Sequence, residues 1–419
     1  MTARGRRRND NAAGQGNARC VVRHHCDARH AVRNESRDAV KILLLTSEFL
    51  PFHGGIGAYA RELATAAAQA GHQVTLVAPG YDADQSAIDS AFPFQVIRAP
   101  GGVSDAKGLP RRILATRRLL KRERFDIVHA VDWPYFIPVR LARGMLRGAK
   151  ALLTVHGTEI IYMQAPRRKR LLDLIGFWRK GWATWISNSR YTHELLLRSF
   201  PAIDEAHAYP VPLAVSDAWR SARIPRAEAR QGYGLDDGDF VVASLGRIVP
   251  RKGHGVLADA LALLPEPVAR NLRWWVVGPA IEPDYAKTLE AKTADLPART
   301  EFLGSLPTED VQRRLAAADL FCLPGYQDDG GRVEGFGLVF LEAGAYAVPS
   351  VATRSGGIPE AVEDGRTGLL VAEHDAEGVA AAITRLKEDP ALREEMAKAA
   401  EAKAAAATWD RVMRETYGG

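Results

Sequence analysis

The chain has 419 residues, 47% hydrophobic and 25% charged, with 37 Gly and 23 Pro; at about 100 to 200 residues per domain this is material for two or three packed domains, not a stapled module or a low-complexity fibre. No apolar run reaches the roughly 18 to 20 residues that span a bilayer, no signal-peptide-like segment opens the chain, and three cysteines (Cys20, Cys26, Cys322) are too few for a disulfide framework, so a cytoplasmic protein is expected. The net charge of +6 is concentrated at the start: residues 1–38 hold nine Arg against four acids and the remainder 47 bases against 46 acids, which gives the folded body no global field calling for nucleic acid.

Residues 1–38 are polar, Arg-rich and aperiodic, and are expected to form a disordered basic leader. Within them Cys20, His24, His25, Cys26 and His30 match no spacing of paired close zinc ligands. From Val40 an apolar run (VKILLLT) leads into a glycine-rich turn at residues 53–57 and then an amphipathic stretch with Ala60, Leu63, Ala64 and Ala67 at helical spacing. Further apolar runs at residues 72–79, 125–131, 151–156 and 184–189 alternate with helix-like segments at 110–123, 135–147 and 168–182. Such alternation predicts a parallel sheet covered on both faces. After the proline-punctuated PVPLAVSDAW the pattern restarts, with runs at 240–247, 272–279, 300–305, 320–325 and 349–355, and the Ala-, Glu- and Lys-rich tail from Asp375 is helical by propensity. Two Rossmann-like α/β halves are therefore expected, with the carboxyl ends of their strands facing a common cleft.

Four clusters fall at predicted strand ends. Gly54, Gly55, Ile56 and Gly57 precede a helix, where exposed amides and the helix dipole suit phosphate or a developing anion, although a tight turn uses the same glycines. Arg247 and Lys252, in GRIVPRKG, could neutralise a diphosphate, the first with a planar fork and the second as a mobile point charge; a solvated basic loop would read the same. Glu334 and Glu342 bracket EGFGLVFLE. Eight steps of 100° return within about 80°, so both carboxylates can project toward one side of a helix entrance, where a Glu can also merely complement the dipole. His156, in TVHGTE, ends a strand and can exchange hydrogen bonds with a substrate hydroxyl or be satisfied by backbone.

Taken together, the GG-G loop, HGTE, GRxxxxKG, EGFGLVFLE and the SGGIPE of residues 355–360 resemble the retaining glycosyltransferases of family 4, with the GT-B fold, from about Lys41 to Tyr417. The resemblance implies an acceptor-side domain at 39–212, a nucleotide-sugar domain at 213–395, and a last stretch at 396–419 whose helix near Trp409 crosses back. It assigns Arg247 and Lys252 to the donor diphosphate, Glu334 to the transferred sugar's hydroxyls, Glu342 to the ribose, and His156 to a place beside the donor sugar. Gly55 and Gly57, with Phe336, Gly337 and Leu338, would line the donor. One departure is Leu213-Ala214-Val215-Ser216, where the family usually has an Asn-Gly-Val-Asp-like turn; it bears on the hinge more than on chemistry.

A nucleotide-sugar leaves as a diphosphate, so stabilising that charge is the main catalytic task, and these cations and amides imply metal-independent transfer without a cofactor. The variant VEGFG tilts the donor toward GDP-mannose, ahead of UDP-sugars. Residues 107–124 (Lys107, Arg111, Arg112, Arg117, Arg118, Lys121, Arg122, Arg124), interleaved with Ile113, Leu114, Leu119 and Leu120, read as a basic amphipathic helix that could lie on anionic lipid at the inner face of a membrane; a solvated cationic face is the alternative. A lipid-linked or glycan acceptor follows if it does. Rival readings are a nucleotide-sugar or nucleic-acid binder without turnover, and an epimerase or phosphorylase on the same fold. The binder lacks the aromatic-basic interleaving of single-strand binding surfaces.

Overall fold

The computed structural model describes residues 39–52, 54–102, 108–221 and 224–418. The leader with its Cys and His residues, His53 of the glycine-rich turn and Lys107 of the basic stretch lie outside the described residues.

Ile42, Leu43, Leu44 and Leu45 have no exposure at all. Four consecutive buried aliphatic side chains require cover on both faces and partners on both edges, and that is where the run sits. The first sheet contains β1 (Lys41–Leu45), β2 (Gln73–Pro79), β3 (Gln95–Ala99), β4 (Ile127–Ala130), β5 (Lys150–Val155), β6 (Thr184–Ser187) and β7 (Ala208–Pro210) in the order β3-β2-β1-β4-β5-β6-β7. The second contains β8 (Phe240–Leu245), β9 (Leu272–Val277), β10 (Arg299–Gly304), β11 (Leu320–Cys322), β12 (Ser350–Thr353) and β13 (Gly368–Val371) in the order β10-β9-β8-β11-β12-β13. Every strand pair is parallel, as the alternation requires. The expected pair of Rossmann-like sheets is present. In each, the strand order reverses once, between β1 and β4 and between β8 and β11, and such switch points are where open parallel sheets hold ligands.

Three strands did not announce themselves: β3, β7 and β13 are all at sheet edges, short or partly exposed. The helix expected over 168–182 begins earlier and ends sooner, as Pro166–Leu174, and a separate helix, Thr158–Gln164, precedes it. Helix Pro166–Leu174 starts on a proline and stops because Gly176 turns left-handed at φ +61, with Phe177 donating back to Leu172. The segment 135–147 becomes the helix Trp133–Leu141 followed by one 3₁₀ turn, Arg143–Met145.

The chain passes between the halves twice. Residues 211–216 go out, with Leu213, Ala214 and Val215 buried. Helix Pro390–Ala406 is continuous through residue 395, and the chain turns at Ala407 and Thr408 into helix Trp409–Tyr417. That helix packs on the first half: Trp409 meets Tyr59 edge-on at 5.7 Å, and Tyr417 Oη lies 3.0 Å from His129 Nδ1. Arg411 Nη2 donates to the Pro212 carbonyl at 2.7 Å, so the two crossings are bonded to each other. Among the described residues, no helix is long and apolar enough to cross a membrane.

Candidate active site

The groups of polar side chains in the cleft follow strands at the two switch points or, for His156, the strand beside one of them. After β1 come Ser47, Glu48 and the glycines; after β4, Asp132; after β5, His156; after β8, Arg247, Arg251 and Lys252; and after β11, the loop that leads to Glu334.

On the second half, Lys252 Nζ donates to Glu334 Oε2 at 2.5 Å. Burial pushes the Glu334 carboxyl up, but the charges of Lys252, Arg251 and Arg247 outweigh it and hold the group below the usual carboxylate range. Glu342 has weaker help: burial raises it to about 7, and only Lys252 pulls the other way. One ammonium therefore acts on both carboxylates. The helical-wheel reason for expecting them together is corrected by the structure. Helix Leu338–Gly344 begins only after Gly337, at φ +92, so Glu334 stands outside it, and the bond to Lys252 is what fixes its carboxylate. Phe336 is also placed differently from a ligand-lining side chain: it is buried in the apolar core. Gly337 and Leu338 form the entrance of that helix.

On the first half, His156 Nε2 lies 3.0 Å from the Val131 carbonyl. A carbonyl only accepts, so Nε2 carries the proton and Nδ1 is left as an acceptor. Burial lowers the imidazole to about 4, so it is neutral at pH 7. Its ring leans edge-on against Tyr59 at 5.0 Å, and its backbone N–H donates to Glu159 Oε2 at 3.0 Å. Gly55 is open on its Cβ side, whereas a Cβ on Gly57 would stand 3.1 Å from the Glu48 carbonyl. The halves meet at Gly335, where an added Cβ would come 2.5 Å from the His156 carbonyl oxygen; a side chain there would hold the Glu334 loop off the histidine. Beside this contact is a small hollow, lined from the first half by Gly157, Tyr191 and Thr192 and from the second by Arg332, Val333 and Gly335.

Three site residues had not been singled out. Arg251 is half-buried and electrostatically coupled to Glu334; it sits in the same GRIVPRKG loop, one position from Lys252. Glu48 accepts from the backbone N–H groups of Ile56 and Gly57 at the start of helix Gly55–Gln69, and is raised to about 7 by burial and then by Asp132, with Arg247 opposing from across the cleft. Asp132 is raised to about 7 by burial, while Ser47 donates to it from its backbone N–H at 3.1 Å and from its hydroxyl. For Glu48 and Asp132 the only sequence signal is placement just past β1 and β4. Among the described residues, no three His, Cys, Asp or Glu side chains are grouped as a metal site.

The helix Leu109–Arg122 spends much of its apolar face on the fold: Leu120 is buried, and Leu109 and Leu119 pack against the core of the first half. Arg111, Arg117, Arg118, Lys121 and Arg122 remain exposed, together with Leu114.

A family model described as Glycosyltransferase Family 4 matches residues 53–218, and one described as Glycosyl transferases group 1 matches residues 225–403. The chain is 30% identical over 373 residues to a GDP-mannose-dependent monoacylated alpha-(1-6)-phosphatidylinositol monomannoside mannosyltransferase of Corynebacterium glutamicum, covering 86% of this chain and 92% of that one. It is 32% identical over 362 residues to the GDP-mannose-dependent alpha-(1-6)-phosphatidylinositol monomannoside mannosyltransferase of Mycolicibacterium smegmatis, covering 83% and 90%. Among solved structures, a sucrose-phosphate synthase of Thermosynechococcus elongatus superposes with a TM-score of 0.73 at 23% identity, covering 90% and 97%, and Anabaena HepE in complex with UDP with 0.72 at 21%, covering 90% and 98%.

Proposed function

The chain belongs to the family 4 glycosyltransferases, and from that premise we propose that it moves a mannosyl residue from GDP-mannose to a sugar on an anionic lipid, with retention of configuration. The observation that carries this reading is the convergence of Arg247, Arg251 and Lys252 on Glu334 at a switch point. The donor and the lipid-borne acceptor are supported by the names of the Corynebacterium and Mycolicibacterium relatives.

When the glycosidic bond breaks, negative charge grows on the departing diphosphate. Arg247 and Lys252, aided by Arg251, take up that charge, and cations held in place before the reaction lower the barrier most. Glu334, kept ionised by the same cations, accepts hydrogen bonds from hydroxyls of the transferred sugar. Glu342 takes the ribose hydroxyls, and the amides at Gly337 and Leu338 face the phosphates. His156 offers Nδ1 to a sugar hydroxyl without introducing positive charge. Gly55, Gly57, Glu48 and Asp132 line the acceptor side, where a carboxylate orients the attacking hydroxyl. The exposed bases Arg111, Arg117, Arg118, Lys121 and Arg122 hold the first half against an anionic lipid surface at the inner face of the membrane, mainly by charge.

Release of GDP from GDP-mannose tests the reading. Lys252→Ala is expected to lower kcat about a hundredfold or more, in line with loss of one donor to a developing anion, and Glu334→Ala to do the same. A protein that merely binds the nucleotide-sugar has no turnover to lose, so absence of turnover in the wild type sinks the proposal.

A further inference from the structure

Glu360 ends the SGGIPE motif, and its carboxylate bonds across the cleft to the opposite half. Oε2 accepts from the backbone N–H of Arg190 and Oε1 from that of Tyr191, both at 2.9 Å. These are the first two amides of helix Arg190–Ser199 in the first half. The third, Thr192, is capped by the helix's own N-cap, Ser189, whose hydroxyl accepts at 3.0 Å. A helix start leaves its first amides without intrahelical partners and carries partial positive charge. Here one is satisfied locally and two by an anion 170 and 169 residues away.

Glu360 is also tied to the donor loop. Its own N–H donates to Gly357 O at 3.0 Å, and Gly357 N–H donates to Glu334 O at 2.9 Å. The next residue, Gly335, is the one pressed on the His156 carbonyl, and Thr192 Oγ1 lies 3.5 Å from Gly335 O. The bidentate cap therefore lies beside the contact that sets how close Glu334 comes to His156.

From this the geometry points to Glu360 as a positioning residue that clasps the halves in the closed arrangement by capping helix Arg190–Ser199 from across the cleft. The clasp is reversible, because carboxylate and amides exchange each other for water when the halves part. Closure brings the donor cations and His156 to one substrate, so a weakened clasp lowers the fraction of protein competent to bind and transfer.

The inference rests on the transferase reading, so the test has one arm that needs no turnover. Small-angle scattering of the full chain, with and without saturating GDP, reports closure; steady-state GDP release from GDP-mannose reports catalysis. Glu360→Ala is expected to keep a larger radius of gyration with GDP bound and to lose about tenfold or more in kcat/KM, chiefly through KM, with Glu360→Gln intermediate. Arg190→Pro gives an independent handle. Proline is well tolerated at the first helical position; it removes one of the two backbone donors together with the Arg190 guanidinium, whose Nε stands 4.0 Å from Glu360 Oε2, so it should shift both readouts the same way, and Arg190→Ala, which keeps the backbone donor, should shift them less. Combined with Glu360→Ala it should add nothing, since both changes act through one contact. Wild-type scattering and kcat/KM in Glu360→Ala, or full additivity of the pair, overturns the clasp. A wild type that closes on GDP but does not turn over GDP-mannose overturns the functional reading and leaves the clasp standing.

Discussion

Glu48 and Asp132 are carboxyls that burial holds near 7, far above their ordinary values. For Glu48 the folded pKa of about 7 exceeds the unfolded 4.5, so the folded chain binds more protons between those values and loses stability as pH rises through that window. Glu48→Gln keeps an oxygen for the amides of Ile56 and Gly57 but removes the charge. It should stabilise the protein at pH 7.5 by on the order of 1 to 2 kcal/mol, after discounting for partial exposure, with the advantage vanishing near pH 4.5. Urea denaturation at the two pH values checks this; an equal advantage at both would mean that charge is not the cause. Neither residue was legible from spacing, because a single acid after a strand has no companion at a fixed interval. Arg247, Lys252 and Glu334 were legible because each lies in a patterned loop. His156 was found by its strand-end placement, the same rule that, applied to β1 and β4, reaches Glu48 and Asp132.

At the scale of single elements, the central strands could be read from the sequence because burial on both faces writes a continuous apolar run, as in KILLL. Edge strands have no such signature: in β3 the exposed Gln95 and the half-buried Arg98 interrupt the pattern, and β7 ends on Pro210. The glutamates of EGFGLVFLE were recognised as a pair for the wrong geometric reason, since a wheel presumes a helix that Gly337 delays. The basic helix Leu109–Arg122 was recognised as amphipathic, but its apolar side is largely claimed by the core. What remains is a cationic face worth about 1 kcal/mol per base near an anionic surface. Reversing Arg117, Arg118, Lys121 and Arg122 to Glu should abolish sedimentation with vesicles rich in phosphatidylinositol while leaving the melting temperature within a few degrees. Wild-type binding should fall steeply from 50 to 300 mM salt, as screening shortens the reach of exposed charge. Salt-independent binding would instead implicate Leu114 and insertion.

For the molecule as a whole, one apolar cluster runs from Ile42 and Leu44 through Leu213, Ala214 and Val215 to Phe340, Leu341 and Trp409. Residues from both sheets and both crossings belong to it, so the halves should unfold together. Trp409→Ala, which removes a buried indole resting on Tyr59, is expected to cost about 3 to 5 kcal/mol and to shift one cooperative transition observed by fluorescence and by circular dichroism alike. Two separated transitions, with only one displaced, would show that the halves are independent. The sequence displayed the two-half plan through its repeated alternation, but not this shared core, because contacts between residues hundreds of positions apart leave no local period.

The double crossing also sets rules for recombining such enzymes. A chimera that takes its first half from one parent and its second half from another cannot be made with a single splice near Pro212, because residues 409–417 would then lie on a foreign surface, with Arg411 reaching for a carbonyl of the other parent. The first-half cassette is discontinuous, Ala39 to Pro212 plus the terminal helix. Grafting both pieces together, with junctions in the linker and at Ala407, is the exchange that keeps each parent's packing intact.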